Sequence, residues 1–459
     1  MSIAHPRATL AATILGSSLA FIDSSVVNVA LPALATGLHA DASTLPWAIT
    51  VYLLPLSALI LLGGGLGDRF GRRRYFLIGL VTFTVASVLC AGAPAFSWLL
   101  AGRGLQGLGA ALLMPNSLAI LGSQFQGEAR GRAVGIWSAA GALGGVAGPV
   151  IGGWLVDEAG WRAIFFVNVP LALACGYLAF YYVAENTDRE HAAALDTTGA
   201  LLATFGLGLV TWSLTQSSGR GTAGLSLWSA AAVGVLLLVA FVWNERRLQD
   251  HALMPLVMFA SPAFVGLSLY TFFLWGSLGG LVVLVPFLLI KMERWSAVAG
   301  GAALLPIPTL IGLGSRSMGR WASRHGARTP LLLGSLLAAA GFALFAARIG
   351  PGLSYWADVF PPTLLIALGL CACVAPLTTG IMESVDAEHV GIAAGSNSAV
   401  ARIAGLIATS LLGFVFARGD SLQFIAAFRV AALVGASWAL AATACVYFYL
   451  GPRSGSRSV

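Results

Sequence analysis

Fourteen apolar stretches of roughly twenty residues follow one another along this 459-residue chain, separated by polar joints too short for a soluble domain. A helix rises about 1.5 Å per residue, so about twenty apolar residues cross the ~30 Å hydrocarbon core of a bilayer. Lipid offers no hydrogen bonds, so each stretch must satisfy its backbone internally, as a helix does. Spans are predicted over roughly 8–32, 46–66, 75–94, 97–122, 132–156, 162–184, 196–215, 225–243, 262–290, 296–315, 329–349, 357–382, 391–416 and 426–450. Only 9% of the residues are charged, where soluble domains carry about 25%. The sequence therefore predicts an all-α polytopic membrane protein. The first run is too long for the core of a cleaved signal and is expected to stay as span 1.

Composition removes several function classes. The five cysteines (Cys90, Cys175, Cys371, Cys373, Cys445) all fall in apolar runs, an odd and scattered set that argues against a disulfide framework. The six histidines lie in joints or tails, so neither a metal centre nor an intramembrane enzyme is expected, and no cofactor. The basic excess points to the bilayer rather than to nucleic acid. With the N-terminus in the cytoplasm, sixteen of the 25 Lys and Arg residues fall on inner segments and seven on outer ones, which predicts both termini inside.

An internal repeat divides the chain. Gly64, Arg69, Gly71, Arg73 and Gly79 match Gly319, Arg324, Gly326, Arg328 and Gly334. Each copy follows the second span of its half. This spacing predicts two six-helix bundles, at 1–190 and 251–459, with two additional helices and a linker at 191–250. Repeated halves are a transporter architecture.

One carboxylate stands alone in span 1. Asp23 lies mid-span in LGSSLAFIDSSVVNVALP, at a depth where a charge costs about 2.5–3.5 kcal/mol on insertion scales. It is either a packing residue bonded to Ser24 or Ser25, or a site for a proton, ion or substrate. Arg103 sits inside span 4, in GRGLQG, and Arg402 inside span 13. The literal GxGxxG of Gly102–Gly107 lacks the preceding strand of a dinucleotide site and is read as a helix-packing face. In the Gly64–Arg74 loop, Asp68 sits among Arg69, Arg72, Arg73 and Arg74 beside Gly71, a setting for a latch. Span 5 reads GALGGVAGPVIGG, where Gly144, Gly148, Gly152 and Gly153 bare the backbone and Pro149 removes a donor and can bend the helix.

These motifs stand in an order that resembles the major facilitator superfamily, specifically its fourteen-span drug:proton antiporter family of the EmrB/QacA type. IDSSVVNVALP, GGLGDRFGRRR, LLAGRGLQGLGAALLMP and GALGGVAGPVIGG are similar to that family's signatures of span 1, the loop after span 2, span 4 and span 5, and LMPLVMFASPAF to the join before the second half. The resemblance implies the major facilitator fold and efflux of small amphiphilic compounds in exchange for protons, across a bacterial inner membrane, by a monomer. Asp23 and Arg103 would couple to the proton. Gly64, Asp68, Arg69, Gly71, Arg72 and Arg130 would form the conformational latch. Asn28, Tyr52, Asn116, Trp137, Phe272, Trp275, Asn397 and Arg402 are the candidates for substrate contact. The same fold also serves exporters or importers of a specific metabolite, lipid or siderophore. A sensor, a channel and an enzyme find less support in these residues.

Overall fold

The computed structural model describes residues 5–41, 44–125, 127–187, 196–220, 225–248, 254, 256–386, 390–416 and 421–451. These residues form helices and no strand. In chain order they are α1 (Pro6–Gly37), α2 (Trp47–Phe70), α3 (Arg72–Ala91), α4 (Phe96–Gln124), α5 (Gly127–Ala159), α6 (Ala163–Phe166), α7 (Asn168–Tyr182), α8 (Thr197–Arg220) and α9 (Leu225–Leu248). There follow α10 (Pro262–Phe287), α11 (Ala297–Ala302), α12 (Pro306–His325), α13 (Arg328–Arg348), α14 (Phe360–Glu383), α15 (Val390–Leu411), α16 (Gly413–Phe416) and α17 (Ser421–Tyr449). Among the described residues, thirteen helical spans are long and apolar enough to cross a membrane. The 33-residue α5 lies where the fifth span is expected.

Proline explains two departures from the continuous spans read from sequence. Span 6 is split into α6 and α7, because Pro170 has no N–H to offer the carbonyl of Phe166. Span 10 is split into α11 and α12, because Pro306 cannot bond to Ala302. A third departure is the start of α3. Its helix begins at Arg72 rather than at 75, so the loop arginines form its first turn.

The contacts divide the chain into two units. The first holds residues 1–255, 289–302 and 410–417; the second holds 256–288, 303–409 and 418–459. The boundaries expected at 190–191 and 250–251 lie outside the described residues.

In the first unit α4 runs against α2 and α3, and α1 against α5 and α7. Small residues permit these approaches. Gly79 of α3 lies backbone to backbone on Gly109 of α4, where a Cβ would sit 2.8 Å from the Gly109 carbonyl. The extra pair α8–α9 packs on α2 through α8. Only 6% of α9's apolar window is buried by protein, so lipid must cover the rest, including Trp228, Leu236 and Val239.

In the second unit α10 and α13 pack on α17, and α14 on α12 and α13. The sequence repeat is a structural one. Gly71 and Gly326 end α2 and α12 with φ of +119° and +89°, a region that favours glycine. Each donates its N–H back into its helix, to Gly67 and Ala322. Gly334 meets Gly369 across α13–α14 as Gly79 meets Gly109.

Candidate functional site

The mid-span acid is paired. Asp23 on α1 and Arg103 on α4 are 2% and 1% exposed, and the Arg103 Nη1 donates to Asp23 Oδ2 in a direct ion pair. Each ion loses water at a cost of several kcal/mol, so the pair holds only if the remaining donors and lone pairs are satisfied. They are. Asp23 Oδ1 accepts from Gln106 Nε2 at 3.1 Å and from Asn168 Nδ2 at 3.2 Å. Arg103 Nε donates to the Ala48 carbonyl at 3.0 Å, and its Nη1 also reaches Gln106 Oε1 at 2.8 Å. The guanidinium lies over the Tyr52 ring, 4.2 Å from its centroid, with Phe165 at 6.0 Å. The Tyr52 hydroxyl donates to the Ala20 carbonyl at 3.2 Å, which ties α2 to α1.

The seat of Arg103 is thus mostly neutral: a carbonyl, an amide oxygen and an aromatic face. All three belong to α2 and α4, whereas the carboxylate belongs to α1. A guanidinium over a desolvated ring gains about 2 kcal/mol. Arg103 therefore keeps much of its binding if Asp23 is neutralised or moves.

The opposite side of the same α1 turn rests on the glycines of α5. A Cβ on Gly148 would collide with Ser25 Oγ and lie 3.2 Å from Ser25 Cβ. One on Gly152 would come within 2.7 Å of the Val26 side chain, and one on Gly144 within 3.4 Å of Ile22. Asp23 sits between Ile22 and Ser25, so the turn that carries the proton candidate is seated on the span 5 motif. Pro149 and Gly153 bare a second side of α5, where α11 lies backbone to backbone against them. Asp157 closes that contact by accepting the N–H groups of Ala297 and Val298, each at 3.0 Å.

Where α2 meets α3, Asp68 Oδ1 in the last turn of α2 accepts from Arg72 Nε in the first turn of α3 at 2.6 Å. The first turn of α3 is capped from the tail of α7. Glu185 accepts the N–H of Arg73 at 3.0 Å and of Arg74 at 3.1 Å, and the Asn186 carbonyl takes that of Arg72 at 3.1 Å. Arg73 returns the favour by donating to the Val183 carbonyl at 3.1 Å. Gly71 takes a φ of +119°, and a Cβ there would sit 2.9 Å from the Glu185 carboxyl. Gly64 lies against Pro115 of α4, and Arg69 stands over Phe70. The side chain of Arg130 lies outside the described residues.

The other candidates are dispersed. Tyr52 joins the ion pair. Asn116 is fully buried in the α2–α4 seam, where it donates to Gly63 and Leu112 carbonyls at 2.9 and 2.8 Å. The Trp137 indole N–H donates to Ser17 and Ser117 Oγ at 2.9 and 3.2 Å, locking α5 to α1 and α4. Asn28 is buried on α1, and its Oδ1 has no hydrogen-bond partner among the described residues. In the second unit Phe272 stacks on Trp438 at 5.7 Å, Trp275 is 36% exposed, and Asn397 accepts from Thr271 at 2.6 Å. Arg402 is half-buried on α15.

Sequence reasoning missed Gln106, Asn168, Ser87 and Glu185. Gln106 had a signal, being one helical turn from Arg103 and on the same face. Asn168 was a lone amide in an apolar run. Ser87 and Glu185 carried no mark of their own.

A multi-pass helical membrane protein with a buried ion pair at mid-span and backbone-thin helix faces beside it has the build of a transporter. The Major Facilitator Superfamily model matches residues 13–409. Multidrug resistance protein Stp of Mycobacterium tuberculosis (strain ATCC 25618 / H37Rv) is 34% identical over 421 residues, covering 89% of this chain and 75% of that one. The tetracenomycin C resistance and export protein of Streptomyces glaucescens is 33% identical over 418 residues, with 90% and 76% covered. The methylenomycin A resistance protein of Bacillus subtilis (strain 168) is 30% identical over 445 residues, with 96% and 94% covered. Among solved structures, the POT family transporter PepTSo aligns with a TM-score of 0.71 at 14% identity, covering 97% of both chains. A D-xylose-proton symporter aligns with a TM-score of 0.65 at 16% identity, covering 98% of both. The chain belongs to the major facilitator superfamily. It is a membrane-embedded secondary transporter of a small molecule, not an enzyme.

Proposed function

We propose that this transporter is a proton-coupled drug exporter of the fourteen-span antiporter type, working as a monomer in a bacterial inner membrane with both termini in the cytoplasm. The observation that carries the reading is the buried Asp23–Arg103 pair on its neutral seat. A proton on Asp23 cancels the anion and leaves Arg103 held by Ala48, Gln106 and Tyr52. The α1 turn is then bound to α4 less tightly and can shift along the glycine face of α5. Substrate and proton exchange places as the protein opens alternately to the two sides. Each charge moved down the membrane potential supplies about 2.3 kcal/mol per 100 mV, so one carboxylate supports a modest substrate gradient. No cofactor is needed, since the gradient is the energy source.

The relatives include resistance proteins for tetracenomycin C and methylenomycin A, which supports amphiphilic antibiotics as cargo. Asp23 spends its charge on Arg103, and the described spans hold no second mid-span carboxylate. That favours neutral, zwitterionic or anionic compounds over dications. The Asn28 Oδ1 offers an acceptor for such a molecule, and Phe272, Trp275, Asn397 and Arg402 are the contacts proposed in the second unit. The test is accumulation of a neutral amphiphilic antibiotic and of a dicationic dye in a pump-deficient host, with and without a protonophore. Lower accumulation of the neutral compound, abolished by the protonophore, is expected. Export that survives the protonophore would refute proton coupling, and preferential export of the dication would refute the charge argument.

A further inference from the structure

The polar frame around Asp23 is built to survive its departure. Ser87 Oγ is fully buried on α3, and its own hydrogen is given to the Phe83 carbonyl at 2.8 Å. Its lone pairs then accept from Gln106 Nε2 at 2.8 Å and from Asn168 Nδ2 at 3.3 Å. These are the two amides that also donate to Asp23 Oδ1. Each amide therefore holds two acceptors, one on α1 and one on α3. Withdrawal of the carboxylate leaves neither amide without a partner, and Arg103 keeps its carbonyl, its amide oxygen and its ring. Besides Arg103 from α4, the titratable groups facing this frame are Cys90 of α3, whose Sγ lies 3.4 Å from Gln106 Oε1, and Tyr52 of α2. Among the described residues, α6 contributes Phe165 and α7 contributes Asn168.

We propose that Asn168 is a positioning residue of the proton site, holding the ionised Asp23 carboxylate on the Arg103 seat and keeping Ser87 as its acceptor when α1 carries that carboxylate away. The inference rests on the proton-coupling reading and adds to it a frame of neutral donors and acceptors from α2, α3, α4 and α7 around the carboxylate of α1. Asn168 donates through its amide, so it favours the charged carboxylate over the neutral acid. Ser87 acts in the opposite sense, because it lowers the cost of losing the anion.

The test uses the full-length protein in lipid nanodiscs and needs no substrate. Difference infrared spectra over a pH series follow the carbonyl band of the protonated carboxylic acid, and the band absent from Asp23→Asn is the one assigned to Asp23. In Asn168→Leu, similar in volume but without a donor, the pH at which that band is half lost is expected to rise by about one unit, tenfold in proton concentration. Asn168→Gln, which keeps an amide, should fall closer to the parent. Ser87→Ala should move the midpoint the other way, a sign that loss of packing alone does not produce, and it carries the test if Asn168→Leu fails to fold. Coincident midpoints in the parent and the tested variant overturn the proposal. If Asp23→Asn still exchanges substrate for protons, the coupling reading fails by itself, whatever the midpoints. If no band depends on Asp23, both fail.

Discussion

The contact between α1 and α5 makes a prediction that separates two glycines of the same helix. Gly148 and Gly145 both lie in the span 5 motif, one turn apart. A methyl group at Gly148 would drive into Ser25 Oγ, with Ser25 Cβ at 3.2 Å and the Ile22 carbonyl at 3.3 Å, whereas one at Gly145 would meet nothing within 4 Å. Alanine gains about 1 kcal/mol over glycine in a helix, and overpacking costs about 1–3 kcal/mol. Gly145→Ala should therefore be neutral or stabilised by up to about 1 kcal/mol, and Gly148→Ala destabilised by up to about 2 kcal/mol. The crowded turn is the one that holds Asp23, so the strain should also appear in turnover. About 1.4 kcal/mol on the rate-limiting motion is tenfold in rate. The assay is initial transport rate in proteoliposomes at matched reconstitution, beside thermal unfolding of each variant. Ser25→Ala removes the struck hydroxyl and should partly restore Gly148→Ala. Equal slowing by the two alanines would refute the claim that the glycine face seats the proton-carrying turn.

Two more predictions concern the loop after α2. The Asp68–Arg72 pair is part exposed and is worth under about 1 kcal/mol to stability. Asp68→Asn should leave the melting temperature nearly unchanged while transport slows severalfold at normal surface expression; an unchanged rate would rule the pair out as a latch. Glu185→Ala strips the cap from two N–H groups of α3 and should cost about 1 kcal/mol, with faster amide exchange at Arg73 and Arg74. Unaltered exchange there would show that the carboxylate does not cap the helix.

Much of this was legible in the chain. Span positions followed from apolar length, because lipid leaves the backbone no other partner. The repeat was visible because Gly71 and Gly326 must each take a positive φ, a demand that glycine meets and most residues do not. Asp23 and Arg103 stood out because charge at mid-span is costly. The geometry of their pairing could not be read, since it depends on how α1 and α4 cross. The supporting shell was the least visible part. Ser87 and Asn168 lie 81 residues apart, and Glu185 lies 112 residues from Arg73, whose N–H it caps. Tyr52, Asn116 and Trp137 have the chemistry of substrate contacts. The Tyr52 hydroxyl, the Asn116 amide nitrogen and the Trp137 indole N–H instead donate within the first unit, to Ala20, to Gly63 and Leu112, and to Ser17 and Ser117.

In the proposed cycle, proton coupling passes through Asp23. Its most direct test is proton movement itself, recorded with a pH-sensitive dye trapped in proteoliposomes when an exported compound is added. The parent protein should move protons against the compound's flux, and Asp23→Asn should carry the compound down its own gradient with no proton movement. Proton exchange of parental size in Asp23→Asn would contradict the account.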